Sequence, residues 1–279
     1  MLKKLLCGLH HEGKDYNVAN FEELTGKQQN YLMRFDDILE LKEKYSNDPQ
    51  KLKEELSFLN LRSHLPVILS DLTSDLQNDI GELYPKKSSE FIYELPIEDI
   101  YFLLINIREL SFGHMLPLKV TCDVCGTVQI GKKGAGIFLE LDKLEYKRVS
   151  PETSRKEIVT HKDHKIVLKR RGLKEALQLE NIFKDHPKDM YTYTLLLAIE
   201  SIDGKKPTTE ILESLTAKEN NLIKEEVDKM NIEIDLNFEH ICEKCKEELI
   251  YPLPILDPFF FSPSKIHTQG SPKSLYNTD

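Results

Sequence analysis

The chain has no tryptophan, no long apolar run and no excess of positive charge. A membrane-spanning helix needs about 20 consecutive apolar residues, and no window of the sequence approaches that length. A content of 40% apolar and 30% charged residues predicts a soluble, globular chain, and 279 residues suffice for two domains or for one large domain with insertions. The formal net charge of -9 argues against nucleic-acid binding, because neutralising phosphates requires a basic surface. Lys132–Lys133 and Lys169–Arg171 are local exceptions, which we interpret as solvated turns and strand ends.

The sequence also lacks the short motifs that carry catalysis or phosphate binding. Gly131, Gly134 and Gly136 have no strand–loop–helix context, and no G-K-[ST] follows them. Neither the G-x-S-x-G nor the H-E-x-x-H pattern occurs. We therefore predict that the chain is not an enzyme and has no small-molecule substrate.

The first nine residues begin like a signal peptide, but their apolar run is short and interrupted. His10, His11 and Glu12 follow it at once. We therefore expect a cytosolic protein. In a reducing compartment, paired cysteines favour metal binding over disulfides.

Four of the five cysteines form two C-x2-C pairs, Cys122 with Cys125 and Cys242 with Cys245. β-like sequence flanks each pair, at residues 118–121 and 128–130 for the first and at 238–241 and 249–251 for the second. Two strand-flanked pairs predict a zinc ribbon, in which one tetrahedral Zn²⁺ joins two hairpins. Four thiolates leave no open position for water, so the predicted zinc is structural. The alternatives are four free buried thiols, or a site that has lost its metal.

Other potentially reactive side chains are better interpreted as structural. Cys7 lies near His10 and His11, but no further residue at motif spacing supports a nucleophile or metal site there. His240 could replace a cysteine ligand or contact one, yet a histidine here is more often an ordinary strand residue. One further group falls in a predicted hairpin turn and is interpreted as solvated: His161, Asp163 and His164.

The fold class predicted from residue patterns is α+β, with helical segments around a small antiparallel β region that contains the zinc ribbon. Helices are predicted over residues 21–62 with a turn at 47–49, and over 67–83, 97–112, 173–183, 190–201 and 216–230. Strands are predicted at 138–141 and as a hairpin at 157–161 and 165–169. Thr25 with Gln28 and Thr216 with Glu219 have capping-box spacing.

These patterns divide the chain into five consecutive parts. Residues 1–113 form a mainly helical region. Residues 114–172 hold the β-hairpin region and the first knuckle, a knuckle being a C-x2-C pair with its tight turn. Residues 173–235 are helical, and 236–264 hold the second knuckle, which completes the ribbon. Residues 265–279 are rich in Ser, Lys, Gln, Thr, Gly and Asn and are predicted to form a flexible tail.

Three consecutive aromatic residues, Phe259, Phe260 and Phe261, stand between prolines. They cannot all point into one small core. Either they pack back on the zinc ribbon, or they bind another subunit.

The order of motifs resembles the zinc-binding baseplate hub and hub-assembly proteins of contractile-tailed, T-even-type bacteriophages. The resemblance spans residues 10–264 loosely, and Lys246 stands where a glycine is usual. The segments that carry it are 13–16, 23–28, 100–108 with 111–113, 120–126, 199–204, the second knuckle, and 256–258 with 260–261.

This resemblance implies a structural or assembly protein of the tail baseplate hub, without enzymatic activity. The implied partners are other baseplate and tail hub proteins. The implied location is the host cytoplasm during assembly and the baseplate of the virion. The alternative function is a zinc-ribbon protein that binds nucleic acid or serves transcription, which the acidic composition disfavours.

Overall fold

The computed structural model describes residues 1–33, 35–52, 65–129, 137–185, 187–232, 234–253, 255, 258–261 and 267–269. The chain divides into two compact units, which are described separately. Unit 1 comprises Met1–Glu22, Leu65–Leu103 and Tyr146–Ile234, and unit 2 comprises Glu23–His64, Leu104–Glu145 and Asp235–Asp279. Among the described residues, no helix is both long and apolar enough to cross a membrane.

The described residues mix helices with small sheets, so the α+β class is confirmed. The helices are α1 (Gly26–Met33), α2 (Phe35–Lys44), α3 (Leu65–Leu72), α4 (Ser88–Glu94), α5 (Ile97–Phe112), α6 (Leu173–Asp185), α7 (Met190–Ala198), α8 (Thr209–Ser214) and α9 (Ala217–Met230). The strands are β1 (Leu2–His11), β2 (Lys14–Phe21), β3 (Thr73–Gln77), β4 (Met115–Thr121), β5 (Val128–Gln129), β6 (Ile137–Glu140), β7 (Arg155–Val159), β8 (Lys165–Lys169), β9 (Ile199–Ile202), β10 (Asn237–Ile241), β11 (Glu248–Pro252) and β12 (His267–Gln269).

Unit 1 contains two antiparallel three-stranded sheets, β1–β2–β3 and β7–β8–β9. Apolar side chains of the second sheet pack with helices α7, α8 and α9 around Leu168, Ile199 and Ile223. The predicted hairpin of β7 and β8 is confirmed, and its turn holds Asp163 at φ 64°. Unit 2 contains the sheet β12–β4–β5, to which β6 adds by pairing with β4, and the two-stranded sheet β10–β11.

The prediction of a mainly helical region over residues 1–113 is wrong at its start. Residues 2–21 form the β1–β2 hairpin, and its two-residue turn, Glu12 and Gly13, has positive φ at both positions, as a type I′ turn requires. The helix predicted from residue 21 begins only at Gly26, and its continuation over 53–61 lies outside the described residues.

Two predicted helices end early because their last residues join sheets. The helix predicted over 67–83 stops at Leu72, and the next five residues form β3, which pairs with β2. The helix predicted over 190–201 stops at Ala198, and β9 follows at once. Pairing with a strand distant in sequence overrides local helix propensity in both places.

The Asp99 side chain, on α5, accepts hydrogen bonds from backbone N–H groups in an irregular part of β1. The β1–β2 register shifts between Lys4 and Leu9. The Asp99 carboxylate accepts hydrogen bonds from the backbone N–H groups of Leu6 (2.7 Å), Cys7 (3.1 Å) and Gly8 (2.7 Å). Burial raises the pKa of this carboxyl to about 6, although the three N–H donors hold the rise back. Gly8 has φ +83°, and a Cβ there would lie 2.3 Å from the Tyr16 carbonyl oxygen, so only glycine fits this bulge.

Both predicted capping boxes are confirmed. Thr25 and Gln28 exchange hydrogen bonds at the start of α1, and Thr216 and Glu219 do so at the start of α9. The Glu219 carboxylate is buried and also accepts a 2.7 Å hydrogen bond from the Thr160 hydroxyl. Burial alone would raise the pKa of Glu219, but the hydrogen bonds from Thr216 and Thr160 lower it to about 2.

Glu219→Gln is expected to destabilise unit 1 in a pH-dependent manner. Because the folded-state pKa lies below the ordinary value of 4.5, the stabilisation by the carboxylate is complete above pH 4.5. It is lost as the pH falls from about 4.5 towards about 2. We expect a loss of about 1 to 3 kcal/mol at pH 7, shrinking on acidification. Urea denaturation of both proteins from pH 7 to pH 3.5 measures this.

The control for Glu219→Gln is Glu225→Gln, which alters an exposed carboxylate on the same helix. An equal loss of unfolding free energy in Glu219→Gln at every pH would show that the ionisation of Glu219 does not contribute to stability.

Candidate metal centre

The first cysteine pair lies in the turn between β4 and β5, which pair with Val120 opposite Gln129. The backbone N–H of Cys122 donates to the Thr127 carbonyl oxygen (3.0 Å), and the N–H of Gly126 donates to the Cys122 carbonyl oxygen (2.8 Å). Gly126 has φ +68°, a conformation that glycine adopts without steric cost. These bonds close a tight knuckle around the two sulfur atoms.

The second cysteine pair repeats this geometry in the turn between β10 and β11. The N–H of Cys242 donates to the Glu247 carbonyl oxygen (2.8 Å), and the N–H of Lys246 donates to the Cys242 carbonyl oxygen (3.0 Å). Lys246 takes the place of Gly126, with φ 64°. A left-handed backbone conformation costs a non-glycine residue roughly 1 to 2 kcal/mol, and Lys246 adopts it while the turn keeps the same hydrogen bonds as the first knuckle.

The structure brings the two knuckles together. Cys122 Sγ lies 3.6 Å from Cys245 Sγ, and Cys125 Sγ lies 3.7 Å from Cys242 Sγ. All four sulfur atoms lie within 4.8 Å of one another, close enough to bind one metal ion. A tetrahedral site with metal–sulfur bonds of about 2.3 Å has sulfur–sulfur edges of about 3.8 Å. The observed separations fit that edge and are far longer than a disulfide bond of about 2.05 Å.

Hydrogen bonds lower the pKa of two of the four thiols and so favour their thiolate forms. The Thr127 hydroxyl and then the Thr127 N–H lower the pKa of Cys125 to about 6. The N–H groups of Cys245 and Lys244 lower the pKa of Cys242. The Glu247 N–H would lower the pKa of Cys245, but burial and the neighbouring sulfur atoms raise it to about 12. A divalent cation would replace the remaining protons, since metal ligation requires thiolates.

Gln129 links the two knuckles without any metal. Its side chain is 1% exposed, and its Nε2 donates to Cys242 Sγ (3.3 Å) and to the Thr127 carbonyl oxygen (3.0 Å). Its Oε1 accepts from the Glu243 N–H (2.8 Å). The Tyr251 hydroxyl adds a second link, donating to the Thr121 carbonyl oxygen at 2.6 Å. Side-chain hydrogen bonds therefore hold the β4–β5 and β10–β11 hairpins against each other, with their four sulfur atoms close together.

The other sequence candidates are not members of the sulfur cluster among the described residues. Among the described residues, the ligand group around the four cysteines does not include His240, whose ring stacks on Phe238 at 6.0 Å. Burial lowers the pKa of His240. Cys7 is buried in β1 of unit 1, and burial raises the pKa of its thiol to about 12. His164 Nδ1 lies 2.8 Å from Asp203 Oδ2 at the exposed β7–β8 turn.

Two of the three consecutive phenylalanines are buried in unit 2. Phe260 and Phe261 are 0% exposed and pack edge to face with ring centroids 5.1 Å apart. The buried Arg108 guanidinium lies 5.9 Å from the Phe260 ring and donates to the Gly113 carbonyl oxygen at 2.7 Å. Both rings are therefore buried by residues of unit 2, while packing on the zinc ribbon and binding of another subunit both stay predictions. Partner binding by Phe259, whose side chain is not described, stays a prediction.

Sequence reasoning did not identify Gln129 or Asp99. The only signal for Gln129 is its place in the strand after the first knuckle, and no spacing rule marks such a residue. Asp99 lies in the first turn of α5, where acidic residues commonly favour the helix dipole. Neither role is visible until the chain brings distant backbone groups to these side chains.

The sequence model of one protein family, described as T4 bacteriophage base plate protein, matches residues 31–261. The match covers most of the chain and includes both knuckles. No curated protein and no solved structure matches the chain.

Proposed function

The chain belongs to the T4 bacteriophage base plate protein family, and from this we propose that it is a structural or assembly protein of the hub of a contractile-tail baseplate. The family match over residues 31–261 carries the proposal. The family implies a component of the virion tail and assembly with other phage tail proteins. Its hub location and its passage through the host cytoplasm during assembly are parts of the proposal.

The four-cysteine site is proposed to hold one structural Zn²⁺. Support comes from the sulfur–sulfur separations of 3.6 and 3.7 Å and from the two knuckles of equal geometry. Cys122 and Cys242 are buried, and Gln129 already donates to one sulfur. Zinc bound by four thiolates keeps no open coordination position, so its proposed role is to hold β4–β5 and β10–β11 together. The proposal includes no enzymatic activity.

Purified virions test the proposal directly. Quantitative mass spectrometry should find this chain in tail baseplates in a fixed ratio to other baseplate proteins. An assembly factor would instead occur in assembling baseplates from infected cells and be lost from mature particles. Absence of the chain from both preparations, with normal tails formed when its gene is disrupted, would overturn the proposed function.

Gln129→Leu is expected to weaken zinc binding by about 10- to 100-fold, the usual effect of losing a hydrogen bond to a metal ligand. Leucine keeps the size of the side chain but cannot donate to Cys242 Sγ or accept from the Glu243 N–H. Competition with a chelator of known affinity measures the change.

The matched control is Val128→Thr, which alters the exposed neighbour of Gln129 on the same strand. Gln129→Glu adds a second comparison, because it keeps the acceptor and replaces the donor with a negative oxygen beside sulfur. Unchanged zinc affinity in both Gln129 variants would show that this side chain does not position the site.

A further inference from the structure

A second group of potential metal ligands lies in unit 1, and no cysteine takes part in it. One ligand atom from each of His10, Asp15 and Glu152 lies within 4.8 Å of the other two. From this geometry we propose that the three side chains bind one divalent first-row transition-metal ion such as Zn²⁺. The proposal does not depend on the four-cysteine site or on the baseplate function.

The β1–β2 hairpin places the first two ligands. His10 and Asp15 are direct cross-strand partners, one pair removed from the tight turn at Glu12 and Gly13. Directly opposed residues of an antiparallel pair project from the same face of the sheet. His10 Nδ1 lies 2.6 Å from Asp15 Oδ1. This contact is an imidazole–carboxylate hydrogen bond, shorter than the separation of about 3.3 Å between two ligand atoms of one tetrahedral Zn²⁺. The backbone pairing therefore holds the two groups side by side, and the ion would take the place of the proton between them.

A short 3-10 helix at Pro151–Ser154 places the third ligand. Its N-cap is Ser150, whose hydroxyl accepts from the Glu152 N–H at 3.4 Å and donates to Asp15 Oδ2 at 3.4 Å. The preceding Val149 N–H donates to the Leu6 carbonyl oxygen at 2.8 Å. These bonds fix the start of the 3-10 helix against the hairpin, so Glu152 is brought to His10 and Asp15 by a second chain segment.

The charge and chemistry of the three ligands favour a divalent cation. With a neutral imidazole, the group carries two negative charges, and the described ion pairs within 4.0 Å give neither Asp15 nor Glu152 a lysine or arginine partner. The cleft beside Glu152 also contains five cationic side chains, which an ion would have to compete with: Lys147, Arg155, Lys156, Arg170 and Lys229. One nitrogen and two carboxylate oxygens suit Zn²⁺ and its neighbours in the first transition row. Water would complete the coordination shell, because only three protein ligands meet here. The ion would tie the hairpin tip to the 3-10 helix.

Equilibrium dialysis of the full-length protein against Zn²⁺ tests the proposal. The wild-type chain should bind one more ion than Glu152→Gln, Asp15→Asn or His10→Gln. The control is Glu12→Gln, which removes an exposed carboxylate from the same hairpin turn. It should keep the wild-type count. Zn²⁺ should also raise the melting temperature of wild type more than that of Glu152→Gln.

Cobalt spectra separate this site from the cysteines. In Co²⁺-loaded protein, the sulfur-to-cobalt charge-transfer band reports only the four-cysteine site and should be equal in wild type and Glu152→Gln. Absence of that band would contradict the proposed zinc ribbon alone. The number of ions bound by His10, Asp15 and Glu152 would still be measured by the difference between wild type and Glu152→Gln. Equal numbers of bound ions in wild type and in all three ligand variants, or an equal loss in Glu12→Gln, would overturn the proposal.

Discussion

Replacing Cys242 with serine is expected to abolish binding of the metal ion proposed at the four sulfur atoms and to leave unit 2 without a stable fold. The side chain is 0% exposed and contributes one of four sulfur atoms that join β4–β5 to β10–β11. A structural zinc contributes on the order of 10 kcal/mol to folding, comparable with the whole stability of a typical domain. Cys122→Ser should have the same effect. We expect insoluble protein, or soluble protein that fails to support tail assembly.

Metal analysis and complementation of tail assembly measure the two parts of this result. The control is Cys7→Ser, the same substitution at a buried cysteine of unit 1, which should keep the cobalt charge-transfer band of the sulfur site. Soluble Cys242→Ser protein that lacks the ion and still complements tail assembly would refute the structural role of the metal.

Asp99→Ala is expected to lower the free energy of unfolding by about 3 kcal/mol or more. Alanine leaves the N–H groups of Leu6, Cys7 and Gly8 without their acceptor, in a part of β1 that is buried. Each buried donor left unsatisfied costs about 1 to 3 kcal/mol. Asp99→Asn should also destabilise, because one acceptor oxygen becomes an NH₂ group that faces N–H donors. Urea denaturation followed by far-ultraviolet circular dichroism measures both variants.

The neighbouring carboxylate supplies the control for Asp99. Glu98 lies on the same helical turn, and its buried Oε2 has no hydrogen-bond partner among the described residues. Burial raises the pKa of Glu98, so neutralising it in Glu98→Gln should cost little or should stabilise the protein. Similar losses in Glu98→Gln and Asp99→Ala would indicate that negative charge near α5, and not the three hydrogen bonds, is what matters.

Local patterns predicted those elements whose signal is complete within a short segment. The β7–β8 hairpin, the long helix α5 and the capping box of α9 each follow from periodicity or from residues three apart. The predictions failed where pairing with distant strands decided the outcome. Residues 73–77 form a strand and not the predicted helix, because their backbone groups hydrogen-bond to β2.

The candidate sites show the same division. The C-x2-C spacing predicted which four cysteines would group together, because two residues between cysteines let one tight turn present both sulfur atoms to the same ion. The group of His10, Asp15 and Glu152 has no such spacing, since its third ligand comes from a segment over a hundred residues away. The same holds for Gln129, which acts on the second knuckle from the strand of the first.

The amino-acid sequence by itself determined the α+β class and the two knuckles with their cysteines, because each is encoded in nearby residues. It also determined the likeness to phage baseplate proteins, because the order of short segments along the chain carries that likeness. Only the tertiary structure decided that the four sulfur atoms meet, that Phe260 and Phe261 are buried, and that Asp99 completes the bulge of β1. These results depend on contacts between residues tens to hundreds of positions apart. Such contacts follow from the packing of the folded units, and no local spacing in the chain specifies them.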